Sequence, residues 1–108
     1  ELGDAYAATN RPRRAIPAYQ QAVRYNAESF DAWHNLGWTY LALNQYDRAI
    51  EAIQEALRIT PGHARATYNL GAAYFGQGLR DKVQEIHAQL RKLEPALAGQ
   101  FAKRYVKP

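Results

Sequence analysis

Residues 1–6 read ELGDAY, residues 35–40 read NLGWTY and residues 69–74 read NLGAAY, so nearly the same six-residue phrase returns at a fixed interval of 34 residues. A strict period of this length means that each unit is one supersecondary element unable to bury its apolar face alone, and that stacked neighbours share a continuous core. The period therefore restricts the chain to solenoid-like architectures before any local propensity is weighed.

Inside one period the apolar positions have helical spacing. Trp33, Leu36, Gly37 and Tyr40 fall on one stripe of a helix. That helix should close near Asn44, a residue tolerant of the left-handed conformation, and the equivalent places one period away hold Asn10 and Gly78. A second stripe, Ala49, Ile50, Ile53, Ala56 and Leu57, ends before Pro61-Gly62. Each unit is thus a helix pair, and the spacing predicts helices near 1–9, 12–25, 30–43, 46–59, 64–77, 80–93 and 96–106. Gly3, Gly37 and Gly71 lie mid-helix, where glycine costs about 1 kcal/mol relative to alanine. Close approach of the paired helix, through Ala15, Ala22, Ala49 and Ala56, is expected to offset that cost. Pro17, some way inside the second predicted helix, removes an interior hydrogen bond and predicts a bend.

The order Trp33-x2-Leu36-Gly37-x2-Tyr40, then Ala49-x3-Ile53, then Ala56 and Pro61, resembles the tetratricopeptide repeat family. The first unit keeps Leu2, Gly3, Tyr6, Ala15, Tyr19 and Ala22 in register. The last keeps Leu70, Gly71, Tyr74 and Pro95, but has Thr67, Val83, His87 and Leu90 where the middle one has Trp33, Ala49, Ile53 and Ala56. The resemblance implies an all-α fold, a right-handed superhelical solenoid of antiparallel helix pairs forming a single domain over 1–108. Its repeats would span 1–29, 30–63 and 64–97, the first lacking the turn that would precede Glu1, so the chain is expected to be a piece of a longer protein. In the tail, Leu97, Phe101 and Tyr105 share a stripe, and Tyr105 stands where a further repeat would need glycine. Residues 98–108 are therefore expected to cap the stack, with His87 and Leu90 as its contacts.

Taking Trp33 as the core direction puts Asp31, His34, Asn35, Trp38 and Ala42 on the other side of the first helix. One repeat later the set is Arg65, Tyr68, Asn69, Ala72 and Gly76, with Leu41 and Phe75 in between positions. The resemblance implies that this face lines a concave groove for an extended peptide. Asp31, His34, Asn35, Trp38, Arg65, Tyr68, Asn69 and Ala72 are the candidate peptide-binding residues. Trp38 and Tyr68 would give apolar contact, the asparagines would bond a peptide backbone through their amides, and Arg65 would supply charge. The alternative for Trp38 is packing between neighbouring first helices, an alternative that weighs more for Phe75 and Leu41. For Asn35 and Asn69 the alternative is ordinary surface polarity, and Glu1 interrupts their row. The carboxylate clamp used by some family members is not reproduced, since Asp4 and Asn69 stand where an asparagine and an arginine are needed. Glu1, Asp4 and Asp31 load one end of the groove negatively, against Arg65 and Lys103 at the other.

Chemistry of other kinds finds little footing. His34, His63 and His87 fall at no metal-ligand spacing, cysteine is absent, and there is neither a phosphate-cradling glycine loop nor a nucleophile elbow. No enzyme activity, cofactor or metal is expected. The expected partner is a protein or peptide segment, and the alternative is self-assembly into a homo-oligomeric scaffold. Net charge is +4, and Lys103, Arg104 and Lys107 make the tail basic. Nucleic acid or an anionic surface ranks third as a partner, because no aromatic residues interleave with the basic clusters. No apolar run approaches the ~18 residues of a membrane span, and a cytoplasmic setting is the weakly favoured expectation.

Overall fold

The structure, a computed structural model, describes residues 12–106. Six α-helices follow one another: α1 (Pro12–Tyr25), α2 (Phe30–Ala42), α3 (Tyr46–Ile59), α4 (Ala64–Gly76), α5 (Arg80–Leu93) and α6 (Pro95–Phe101), which runs on into a π-helical turn over Ala102–Val106. All regular structure among the described residues is helical, as the period implied. The helix expected over 1–9, with Gly3, Tyr6 and Asn10, lies outside the described residues, as do Glu1, Asp4 and Lys107. The bend expected at Pro17 does not interrupt α1, which is a single element with Pro17 exposed inside it.

Chain reversals are set by a few residues. Ser29 caps α2, its Oγ accepting from the Ala32 amide at 3.2 Å, and His63 caps α4 in the same way, its Nδ1 accepting from the Ala66 amide at 3.2 Å. At the other ends, Asn44 (φ 61°) and Gly78 (φ 75°) take the left-handed conformation. The following amides then reach back, Gln45 N to Tyr40 O at 2.9 Å and Leu79 N to Tyr74 O at 3.0 Å. This is the same helix closure made twice, one period apart.

Each helix packs on its neighbours in sequence; α2 also touches α4, and α6 leans on both α5 and α4. Ala49, Ile53 and Ala56 on α3 are fully buried, as are Ala66 and Ala73 on α4. The expected role of Gly37 is met directly. A methyl group there would stand 2.5 Å from Ile53 Cγ1, 3.2 Å from Ile53 N and 3.3 Å from Ala49 O. In the last pair, a methyl on Gly71 would run into Ile86 of α5 and the ring of Phe101. There Phe101 and Leu90 are both fully buried, and His87 stacks on Phe101 with ring planes 17° apart. Of the departures from the repeat pattern, His87 thus packs on the terminal helix and Leu90 is buried in the core it shares with Phe101.

Two hydrogen bonds tie successive pairs together. Gln20 Nε2 donates to Tyr40 Oη at 2.9 Å, and Gln54 Nε2 donates to Tyr74 Oη at 3.3 Å. Donors and acceptors are each displaced by one period, so the ring that closes one pair is held by the second helix of the pair before it.

Adding a side chain at Gly37 tests this packing. Ile53 Cγ1 can swing aside, but the α3 backbone cannot, so Gly37→Ala is expected to lose about 1–3 kcal/mol of unfolding free energy in urea titration. A change below about 0.5 kcal/mol, the size of a neutral surface substitution, would contradict the close approach.

Candidate functional site

The outer wall of α2 carries Asp31, His34, Asn35 and Trp38, and that of α4 carries Arg65, Tyr68, Asn69 and Ala72. The caps and closures described above fix both helices in the same frame, so these residues form parallel rows. The rows differ in accessibility. Asp31 and Arg65 are exposed, His34 and Asn35 are half-buried, and Trp38 keeps 43% of its surface in solvent. Tyr68, Asn69 and Ala72 are buried.

That burial corrects the expectation of one continuous open wall. The terminal helix takes beside α4 the place that α4 takes beside α2. The Tyr68 ring meets Phe101 edge-on at 5.4 Å and Tyr105 at 5.9 Å between centroids. The Arg65 guanidinium lies over the same ring, 5.3 Å from its centre. Helical spacing tells which side of α4 Tyr68 is on but says nothing of what then covers it. Phe75 departs from expectation in the opposite direction. The alternative of packing between helices weighed more for it than for Trp38, yet it is 50% exposed, with Tyr105 against one side at 5.0 Å. Burial, with Tyr68 nearby, pushes the Tyr105 phenol above its ordinary value, against the opposing pull of Arg104.

The two asparagines differ in surroundings. Asn69 is engaged, its Nδ2 lying 3.1 Å from His34 Nε2. The amide nitrogen can only donate, so Nε2 accepts and the neutral ring carries its proton on Nδ1. His34 stacks on Phe30 at 5.2 Å; His63 packs on the same ring at 4.5 Å and lies 5.7 Å from His34. Sequence spacing left these imidazoles unrelated, and the α4 cap brings them together. Among the described residues no three or more His, Asp or Glu side chains converge as a metal site. The arrangement offers instead a wall with an exposed indole, an exposed phenyl ring, a charge of each sign and a polar bridge between helices. Gln20 and Gln54, which hold the pairs in register, were missed by sequence reasoning, although their separation of one full period was there to be read.

His34 is held below its ordinary value of 6.5, by burial first and then by His63, with Asp31 opposing and Arg65 adding to the depression. A depressed histidine favours the fold while neutral. The unfolded chain takes up the proton first as pH falls, so the His34 contribution is complete above 6.5 and is withdrawn as pH drops through the lower folded-state value. Urea midpoints are accordingly expected to fall on acidification from neutral pH, and His34→Gln, which keeps an acceptor for Asn69 but does not titrate, should reduce that fall. An unchanged pH profile in the variant would contradict the assignment.

Comparison with known proteins agrees with this geometry. The family model described as tetratricopeptide repeat matches residues 1–64 and again 34–106. No curated protein matches the sequence. Among solved structures, MamA is 35% identical over 91% of this chain and 57% of its own, with a TM-score of 0.82. YrrB, described as a TPR protein with an unusual peptide-binding site, is 27% identical over 95% of this chain and 54% of its own, with a TM-score of 0.87. The second TPR domain of the human RPAP3 protein, in complex with the HSP70 peptide SGPTIEEVD, shares the fold at 18% identity, covering 99% of this chain and 91% of that one, with a TM-score of 0.91. The chain spans a little over half the length of the MamA and YrrB chains. With overlapping matches reaching from residue 1 to residue 106, the chain belongs to the tetratricopeptide repeat family.

Proposed function

We propose that the chain is a non-catalytic binding module that receives an extended segment of another protein along the wall formed by α2 and α4. The observation that carries the reading is the exposure of Trp38, at 43%, on the wall of α2, and of Phe75, at 50%, near the end of α4 beside Tyr105. Large rings standing in solvent suit the capture of apolar side chains. The likeness to YrrB, whose description includes a peptide-binding site, supports the reading at 27% identity.

Trp38 and Phe75 supply apolar contact, Asn35 and His34 polar contact, and Tyr68, Asn69 and Ala72 act from beneath by holding Arg65 and His34 in place. Asp31 and Arg65 polarise the wall. A bound segment lies with its basic part toward α2 and its acidic part toward the terminal helix.

A peptide array probed with the chain and with Trp38→Ala tests the reading. Trp38 is 43% exposed, and helical circular dichroism of the variant verifies that it folds. It should bind the selected peptides at least about tenfold more weakly, the scale of an anchoring aromatic. Undiminished binding would contradict it, and light scattering across concentration separates peptide capture from self-assembly.

A further inference from the structure

The wall does not end at Phe75. Beyond it, between the α4–α5 turn and the π-helical turn, lies a cleft of about 550 Å³ lined by Phe75, Leu79, Arg80, Val83, Tyr105 and Val106. Two of its residues, Phe75 at 50% and Leu79 at 43%, are among the most exposed large apolar side chains of the described residues. Val83 is buried at its base, and Tyr105 and Val106 are half-buried.

The repeat itself says what kind of group belongs there. One period earlier, the position of Arg80 is Tyr46, whose ring packs so closely on Gly76 that any side chain at Gly76 would collide with it. That inner junction is closed by an aromatic ring. At the outer one, arginine replaces tyrosine, the ring is missing, and the aromatic side chains of Phe75 and Tyr105 stand 5.0 Å apart beside an open cleft. The arginine brings a charge with it. The Arg80 guanidinium has no ion-pair partner among the described residues, where Arg58 is tied to Glu28 and Glu55 and Lys82 to Glu85. Ring-sized apolar space beside an unpartnered cation is complementary to an aromatic side chain flanked by carboxylates.

We infer that this cleft is an anchoring site for an aromatic residue set in an acidic segment of a partner protein, with the ring between Phe75, Leu79 and Tyr105 and a neighbouring carboxylate on Arg80. The inference rests on the proposed peptide-binding reading and places the acidic end of the ligand. It shares Phe75 with the proposed wall but also needs Leu79, Arg80 and Tyr105, which the wall does not use.

Three synthetic pentapeptides test it: one of alternating aspartate and glutamate around a central phenylalanine, the same with central alanine, and a tetralysine version retaining the phenylalanine. Each is titrated into isotopically labelled protein and followed by amide chemical shifts. The acidic phenylalanine peptide is expected to shift Leu79, Arg80, Val83 and Val106. Its affinity should fall at least about tenfold when the central ring becomes alanine or when Arg80→Glu reverses the charge. Arg80 is exposed, so that variant folds, and its spectrum verifies this. Equal binding by the alanine or tetralysine peptides, or shifts confined to other surfaces, would overturn the inference. Binding that is lost in Trp38→Ala but indifferent to Arg80→Glu would overturn the cleft and leave the wall standing. The reverse pattern would support the cleft while removing the wall.

Discussion

The structure depends on how closely two helix backbones can approach at Gly37. With no side chain there, Ile53 and the Ala49 carbonyl press against α2, and the alanines of α3 complete a thin, dry seam. A hairpin this flat stacks on a copy of itself. The same sequence device at Gly71 admits Ile86 and the Phe101 ring, so the end of the stack is sealed by the rule that builds its middle. Because the seam fixes which sides of α2 and α4 turn inward, it also fixes which sides remain for binding. Trp38 stands in solvent because Trp33, Leu36, Gly37 and Tyr40 have taken the other side.

Register between hairpins is a separate matter, set mainly by polar groups. The Gln20–Tyr40 and Gln54–Tyr74 bonds repeat at the period of the fold. Arg58 reaches Glu28 at 2.8 Å and Gln77 bonds Asp47, each across roughly one repeat. On the wall, Asn69 and His34 bridge α4 to α2. Apolar seams tolerate sliding, whereas these bonds are made at one offset only, and directional bonds of this kind contribute specificity beyond their modest net energy. Through the bridge between Asn69 and His34 the proposed binding wall is also part of what aligns the repeats.

Much of this was legible in the sequence, because a repeat turns one reading into several concordant ones. The 34-residue interval, the glycine in each first helix and the Asn44 and Gly78 closures all follow from local chemistry, and the helix bounds follow from them. The wall was legible only in outline. Helical spacing tells which side a residue is on, and on that count Tyr68, Asn69 and Trp38 were placed well. It does not tell what lies across from that side. Tyr68 is covered by Phe101 and Tyr105, which are over 30 residues away in sequence, whereas Phe75 stays half exposed with Tyr105 against one side only. That His63 caps α4 and meets His34 depends on a helix start and on a neighbouring repeat together. Tertiary neighbours at a repeat boundary are invisible to a pattern that describes one repeat at a time.

The central claim is that the face of the stack carrying residue 38, and not its opposite face, meets the partner chain. Photocrosslinking addresses it directly, with benzoylphenylalanine placed in turn at position 38 and at position 24, where exposed Arg24 lines a cleft with Trp33 and Tyr40 on the far side of α2. Irradiation in the presence of a peptide selected for binding should give adducts from position 38 and none from position 24. Adducts formed from position 24 alone would contradict the account.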